Sequence, residues 1–92
     1  MAALKVEVMA RQSRSLKDKR TTIRPIVEGA RRRFQVAAAE VAHQNSHQLA
    51  TLGFSAVGGD AGHVAQVLDT VERFVWSFPE IEVLGTQRSW LE

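Results

Sequence analysis

The sequence lacks cysteine entirely and has only two prolines, two tryptophans and four phenylalanines among its 92 residues. Without cysteine there is no disulfide, no thiolate chemistry and no cysteine-ligated zinc or iron–sulfur site. Long apolar runs are missing too, since no stretch approaches the ~20 residues that a bilayer-spanning helix needs. Lys5 and Glu7 interrupt the apolar segment at the start of the chain, which therefore does not have the pattern of a secretion signal. We expect a soluble, cytoplasmic protein.

A catalytic constellation is also missing from the sequence. Catalysis requires a nucleophile beside a base, paired carboxylates in a cleft, or a bound metal ion. The pairs Asp69/Glu72 and Glu80/Glu82 have the pattern of acidic residues on a solvated surface, and Ser15 is accounted for as a helix cap. We therefore expect no enzymatic activity and no cofactor.

Two polar segments have features of ligand sites. His43 and His47 are four residues apart, with Glu40 nearby, a spacing that can hold a metal ion when it occurs on a helix. They fall in a predicted turn without a clear third ligand, so we interpret them as a polar turn. Gly58–Gly62 precedes a helix, where free amides can bind anions, but Asp60 would repel a phosphate. We predict a tight turn there and no metal site.

The positive charge is concentrated in the first third of the chain. The whole chain has a net charge of only +2. Residues 1–34, however, contain ten Lys and Arg against three Asp and Glu, a net charge of +7, and residues 35–92 contain two against seven, a net charge of −5. This polarisation favours an anionic partner at one end of the molecule. The alternative is a solvated helix face that only keeps the protein in solution.

The spacing of apolar residues predicts one domain, residues 1–92, with the element order β-α-β-β-α-β. Strands are predicted at Leu4–Ala10, Gln35–Ala42, Leu49–Val57 and Glu80–Arg88, with helices starting after Ser15 and after Asp60. This is the order of a ferredoxin-like α+β fold, in which a four-stranded antiparallel sheet carries both helices on one face.

The first helix has the clearest start in the sequence. Ser15 is a favourable N-cap, and Asp18 lies in the first turn, where negative charge complements the helix dipole. The apolar residues of the predicted core face are Leu16, Ile23, Ile26, Val27, Ala30 and Phe34. Pro25 lies nearly opposite this face, so we expect a kink on the solvent side, with a break into two helices as the alternative.

Basic residues form a ridge along one flank of this helix, over roughly 21 Å at 1.5 Å per residue. The ridge consists of Lys17, Arg20, Arg24 and Arg31. The predicted nucleic-acid-binding residues are these four and the neighbouring cations Arg14, Lys19, Arg32 and Arg33. Such a set can reach several phosphates at once, as binding to RNA requires. Lys19 projects near the edge of the apolar arc, so pairing with Glu40 or Glu7 is the alternative for it.

Two further hypotheses use the exposed face of the sheet. Leu52–Val57 faintly resembles a pattern in which aromatic side chains stack on RNA bases, but it offers only Phe54, which we expect in the core. The face is otherwise smooth, with small residues such as Ala37, which favours a homodimer or a docked protein. Trp76, on the polar side of the second helix, and Trp90, in a short tail, are the predicted partner contacts. On this alternative the protein is an interaction module without nucleic-acid binding.

Several segments resemble one known family. They are Arg14–Arg20, Arg31–Phe34, Ala39–Val41 with His43-Gln44, and Leu52-Gly53. Their residues and spacing, over nearly the whole chain, resemble the YlxP-like family of small bacterial proteins. The resemblance implies a ferredoxin-like domain of unknown function, often encoded beside translation initiation and ribosome-maturation factors, and hence a role with RNA or the ribosome. Asn45–His47 departs from the family pattern, in which Asp, an apolar residue and an aromatic are frequent, so no family role is carried over to that loop.

Overall fold

The first strand, β1 (Ala2–Ala10), carries the alternation of buried and exposed residues that the sequence predicts. In the computed structural model, which describes residues 1–91, Leu4 and Val6 are fully buried. Lys5 and Glu7 are exposed on the opposite side of the strand. Because β1 is hydrogen-bonded on both edges, it lies inside the sheet and positions the other strands around it.

The other elements follow in the predicted order. Strands β2 (Ala37–Ala42), β3 (Leu49–Ala56) and β4 (Ile81–Trp90) join β1 in one sheet of order β2-β3-β1-β4, with all neighbours antiparallel. Helices α1 (Leu16–Phe34) and α2 (Ala61–Trp76) pack on one face of this sheet around a shared apolar core. The predicted ferredoxin-like α+β fold is therefore confirmed, with β2 and β4 as its edge strands.

Helix α1 begins and ends as local chemistry dictates. The Ser15 hydroxyl accepts a hydrogen bond from the Asp18 amide at 3.0 Å, which confirms the predicted N-cap. Gln35 ends the helix in the left-handed region, at a φ of 54°. The helix is continuous through Pro25, so the alternative of two helices is wrong. Pro25 is exposed, and water can replace the bond that the Thr21 carbonyl does not receive.

The two helices are joined by a stack of aromatic rings. The Phe74 ring lies edge-on to Phe34, with 5.4 Å between centroids, and to Phe78, with 5.1 Å. Gly29 of α1 faces this stack, and a Cβ atom at that position would lie 2.7 Å from the Cζ atom of Phe74. The absence of a side chain at Gly29 therefore allows α1 and α2 to approach closely.

Each predicted strand differs at one or both ends from the observed one: β1 begins at Ala2 rather than at Leu4, and β3 ends at Ala56 rather than at Val57. β2 begins at Ala37 rather than at Gln35, because Gln35 takes the left-handed conformation that ends α1. β4 does not end at Arg88 but continues to Trp90, which pairs with Ala2 of β1. Trp90 thus belongs to an edge strand, and the prediction of a tail at this position was wrong.

The side of the sheet opposite the helices is uncovered, and we call it the open face. It forms a shallow trough of about 710 Å³. The outward-facing residues that line the trough are Ala3, Lys5, Glu7, Ala37, Ala39, Val41, Thr51, Gly53, Ser55, Gly85 and Gln87, and the strand register also places Met9, Leu49, Glu82 and Ser89 on this face. Phe54 points away from this face and is buried in the core, as expected. Among the outward-facing residues there is thus no aromatic ring on which a base could stack, and the stacking hypothesis is not supported.

Candidate nucleic-acid interface

Five exposed cations on or beside α1 have neither an acidic partner within 4.0 Å nor a cation–π contact among the residues described, and we call them the basic surface. They are Arg14, Lys17, Arg20, Arg24 and Arg32. Their helical spacing places them away from the buried stripe of α1, and no fold contact consumes their charge. Such cations are available to bind an anionic ligand.

Four members of the basic surface line one hollow of about 530 Å³. The hollow is completed by Thr21, Pro25 and Glu28, and it lies on the solvent side of the helix. Glu28 is the one acidic residue among those lining the hollow, and its Oε1 atom already accepts from Arg31 at 3.0 Å. The ion pair with Arg31 offsets the charge of Glu28, so the hollow stays electropositive.

Arg31 and Arg33 are exposed but are also engaged in the fold. Arg31 donates from Nη2 to the carbonyl oxygen of Ala38 in β2 at 2.7 Å, in addition to its pairing with Glu28. The guanidinium carbon of Arg33 lies 5.5 Å from the centroid of the Phe74 ring, a cation–π distance. Both side chains therefore connect α1 to neighbouring elements, and a phosphate must compete with these contacts.

Lys19 is not part of the interface, and its prediction as a nucleic-acid contact requires correction. The whole residue is buried, and its Nζ atom donates to the carbonyl oxygens of His43 at 2.7 Å and Leu49 at 3.0 Å. Nζ also lies 2.8 Å from Oε2 of Glu40, so the alternative pairing with Glu40 is confirmed. A fully buried ammonium that is enclosed by three oxygens cannot be reached by a phosphate. Lys19 instead fastens α1 to the β2–β3 hairpin.

His43 and His47, in the turn between β2 and β3, contact the rest of the protein through their backbone carbonyl groups. His43 has a φ of 64°, and its carbonyl receives the bond from Lys19. The His47 carbonyl accepts from the hydroxyl of Ser13, a buried residue that also donates to the Ser15 carbonyl at 3.0 Å. Within residues 1–91, no three His, Asp or Glu side chains cluster closely enough to hold a metal ion. Sequence reasoning missed Ser13, whose only signal was its position two residues before the helix cap.

Two arginines outside α1, Arg11 and Arg88, form ion pairs with carboxylates. Arg11 lies 3.7 Å from Glu82. Arg88 reaches α2, with Nη2 2.7 Å from Asp69 and 3.2 Å from Glu72. Burial alone would lower the pKa of Arg88, but the hydrogen bonds and charges of these two carboxylates outweigh it and raise the pKa above its ordinary value. Arg88 thus holds β4 against α2.

The two tryptophans do not form one contact patch. Trp76 is 59% exposed and Trp90 is 49% exposed. Trp76 is the last residue of α2 and comes shortly before Ile81, where β4 begins. Trp90 is the last residue of β4, nine residues and about 30 Å along the strand from Ile81. Both side chains are exposed, and their roles as partner contacts stay predictions.

Comparison with known proteins gives a family and no activity. Residues 1–88 match a family model described as a protein of unknown function, DUF503. The sequence is also similar to the uncharacterized protein YlxP of Bacillus subtilis (strain 168), with 33% identity over 76 residues, which cover 83% of each chain. Neither helix of residues 1–91 combines the length and hydropathy that a membrane-crossing segment requires.

Proposed function

The chain belongs to the DUF503 family, which confirms the resemblance to YlxP-like proteins, and we propose that it is a cytoplasmic, non-enzymatic protein that binds RNA through its basic surface. The observation that carries the proposal is the basic surface itself, in which five exposed cations on or beside α1 have no acidic partner within 4.0 Å among the residues described. Affinity for RNA comes largely from cations that replace condensed counterions at phosphates. Cations already paired with carboxylates contribute little to this exchange.

The shape of the basic surface favours the backbone of a folded RNA. Lys17, Arg20 and Arg24 follow one another along one continuous helix at intervals of about 4.5 and 6 Å. Double-stranded RNA is bound mostly through its shape, its phosphates and its 2′-hydroxyl groups. The open face lacks outward aromatic rings, so base stacking on the sheet does not contribute. The proposed contact is therefore electrostatic and insensitive to base sequence.

Ribosomal RNA is the RNA class we favour. The genes of YlxP-like proteins often lie beside genes of translation initiation and ribosome-maturation factors, and ribosomal subunits present long stretches of folded RNA. The remaining part of the protein is acidic, with a net charge of −5 for residues 35–92, which disfavours wrapping by RNA around the whole molecule. Contact is accordingly confined to the α1 side.

Two single charge reversals test this proposal. Arg24→Glu changes the basic surface, whereas Arg73→Glu makes the same charge change on an exposed arginine of α2 that has no acidic partner within 4.0 Å among residues 1–91. Binding is measured with a fluorescent RNA duplex and with purified ribosomal subunits at about 50 mM salt. We expect Arg24→Glu to weaken binding about tenfold or more and Arg73→Glu to change it by less than about threefold. Absence of binding by the unaltered protein, or equal losses in both variants, would contradict the proposal.

A further inference from the structure

The trough of the open face carries two charged residues, Lys5 and Glu7, that are not part of the basic surface. Of the residues that line its trough, Lys5 and Glu7 are the only lysine, arginine or acidic ones. They project from β1, two residues apart, and neither has an ion-pair partner within 4.0 Å among residues 1–91. The trough is thus neutral overall, with one unpaired charge of each sign near its centre.

The part of the open face beside Lys5, on β3 and β2, is built of short side chains, which allow another sheet to approach. In register across three strands, Lys5 lies beside Gly53, and Gly53 beside Ala39. Val41 leans over Gly53, because a Cβ atom placed there would be 2.9 Å from Cγ1 of Val41. Short side chains of this kind fit the ~10 Å spacing of two sheets packed face to face.

We propose that the open face is the interface of a symmetric homodimer in which the two β1 strands cross antiparallel at Val6. The two-fold axis lies between the sheets and perpendicular to β1. It places Lys5 of one protomer opposite Glu7 of its partner, and Glu7 opposite Lys5. Two copies of one chain therefore satisfy both unpaired charges, a self-complementarity that an isologous interface requires.

The charges select this arrangement over the other face-to-face packing. With an axis parallel to β1, Lys5 would lie opposite Lys5 of the partner protomer and Glu7 opposite Glu7. Both of these like-charge contacts are unfavourable. Partly buried ion pairs contribute little net affinity, but they fix register and exclude wrong packings. The affinity of the dimer comes from the apolar residues Ala37, Ala39 and Val41 of β2, and its orientation from β1.

The area of the face is sufficient for a weak but specific dimer. β1 has nine residues, and four strands lie side by side, so the face measures about 30 Å by 19 Å, or about 570 Å² per protomer. The two protomers together bury about 1,100 Å², just above the ~1,000 Å² expected of a biological interface. We expect a dissociation constant of about 1–100 µM.

This dimer would also place the two copies of α1 along one edge of the assembly, on its two outer faces. The axis preserves the order of strands across the sheet, so the β2 edges of both protomers lie together. α1 is tied to β2 by the bond from Arg31 to Ala38. Both copies of α1 therefore flank the same edge of the assembly, although the interface itself does not depend on RNA.

Charge reversal and charge exchange test the dimer and its register. Sedimentation equilibrium and light scattering on the full chain, of 10.2 kDa, should give a mass of about 20 kDa at about 0.5 mM protein. Lys5→Glu and Glu7→Lys should each raise the dissociation constant about tenfold or more, because each creates two like-charge contacts per dimer. The exchange Lys5→Glu/Glu7→Lys should restore it to within about threefold.

Two results would overturn the inference. One is a protein that stays monomeric at about 0.5 mM. The other is a dimer whose dissociation constant responds to neither single reversal, since a different face would then be used. Both side chains are exposed, and circular dichroism spectra of the variants provide the check that the fold is retained.

Discussion

The ammonium of Lys19 lies 2.8 Å from Oε2 of Glu40, and this ion pair joins α1 to β2 inside the fold. Lys19 is completely buried, while the Glu40 side chain is 19% exposed. The angles of the contact depart from those of a hydrogen bond, so the charge of Glu40 matters more than its directionality. The carbonyl oxygens of His43 and Leu49 supply the directional bonds.

Replacing Lys19 by methionine should destabilise the protein strongly. Lys19→Met keeps most of the volume but leaves two carbonyls and one carboxylate without their cation. Breaking a buried pair in this way costs about 3–5 kcal/mol of unfolding free energy. Glu40→Gln should also destabilise the protein, by about 3 kcal/mol, because the buried ammonium of Lys19 loses its counter-charge although it keeps both carbonyl acceptors.

Urea denaturation measures these changes, with Lys17→Met as the matched control two residues earlier on the same helix. Lys17 is exposed and has no acidic partner in the part of the chain described, so its replacement should stay within about 0.5 kcal/mol. Equal destabilisation by Lys19→Met and Lys17→Met would show that the buried pair does not stabilise the fold.

Gly29→Ala should destabilise the protein, against the usual helix preference. Alanine inside a helix is normally favoured over glycine by about 1 kcal/mol. At Gly29 the new Cβ atom would lie 2.7 Å from Cζ of Phe74, a ring held by Phe34 and Phe78. Overpacking of this kind costs about 1–3 kcal/mol, so we expect a net loss of about 1 kcal/mol.

Thermal unfolding of Gly62→Ala provides the comparison for Gly29→Ala. A Cβ atom at Gly62, in the first turn of α2, would meet only Asp60 Oδ1 at 3.6 Å. Gly62→Ala should therefore raise the melting temperature or leave it unchanged. Should Gly29→Ala raise it as well, the close approach of α1 to Phe74 would not be a constraint on the fold.

Pro25→Ala should stabilise the protein. The proline lies in the interior of α1 on its exposed side, where it removes one backbone hydrogen bond. Proline costs about 3 kcal/mol relative to alanine within a helix, and its restriction of the unfolded chain returns about 0.4–1 kcal/mol. We expect a gain of about 2 kcal/mol in urea denaturation. A loss of stability would mean that the ring of Pro25 makes a contact that matters more than the missing bond.

The fold was predictable because its signals are local. The alternation along β1, the cap at Ser15 and the apolar spacing in α2 each depend on residues a few positions apart. The strand character of Trp90 was missed because it depends on pairing with Ala2, at the other end of the chain. No local pattern around Trp90 carries that information.

The site was predictable only in part, for the same reason. Helical spacing places Arg20 and Arg24 on a solvent-facing flank, and the same spacing puts Lys19 on the buried stripe, three residues after Leu16. The acceptors that make burial of Lys19 possible come from the β2–β3 hairpin, including a carbonyl presented by the left-handed conformation of His43. Sequence spacing cannot supply such a contact between distant segments.

The salt dependence of RNA binding should distinguish free cations from those engaged in the fold. Each phosphate contact contributes about −0.9 to the slope of log affinity against log salt on a duplex. Four contacts give a slope of about −3.6, or a loss of about 150-fold between 50 and 200 mM salt. Arg24→Ala should flatten this slope by about 0.9, since Arg24 belongs to the basic surface. Arg31→Ala should change it by much less and instead lower stability by about 1 kcal/mol, because Arg31 bonds to Glu28 and the Ala38 carbonyl. Equal flattening by both variants would place Arg31 among the phosphate contacts and contradict the division between free and engaged cations.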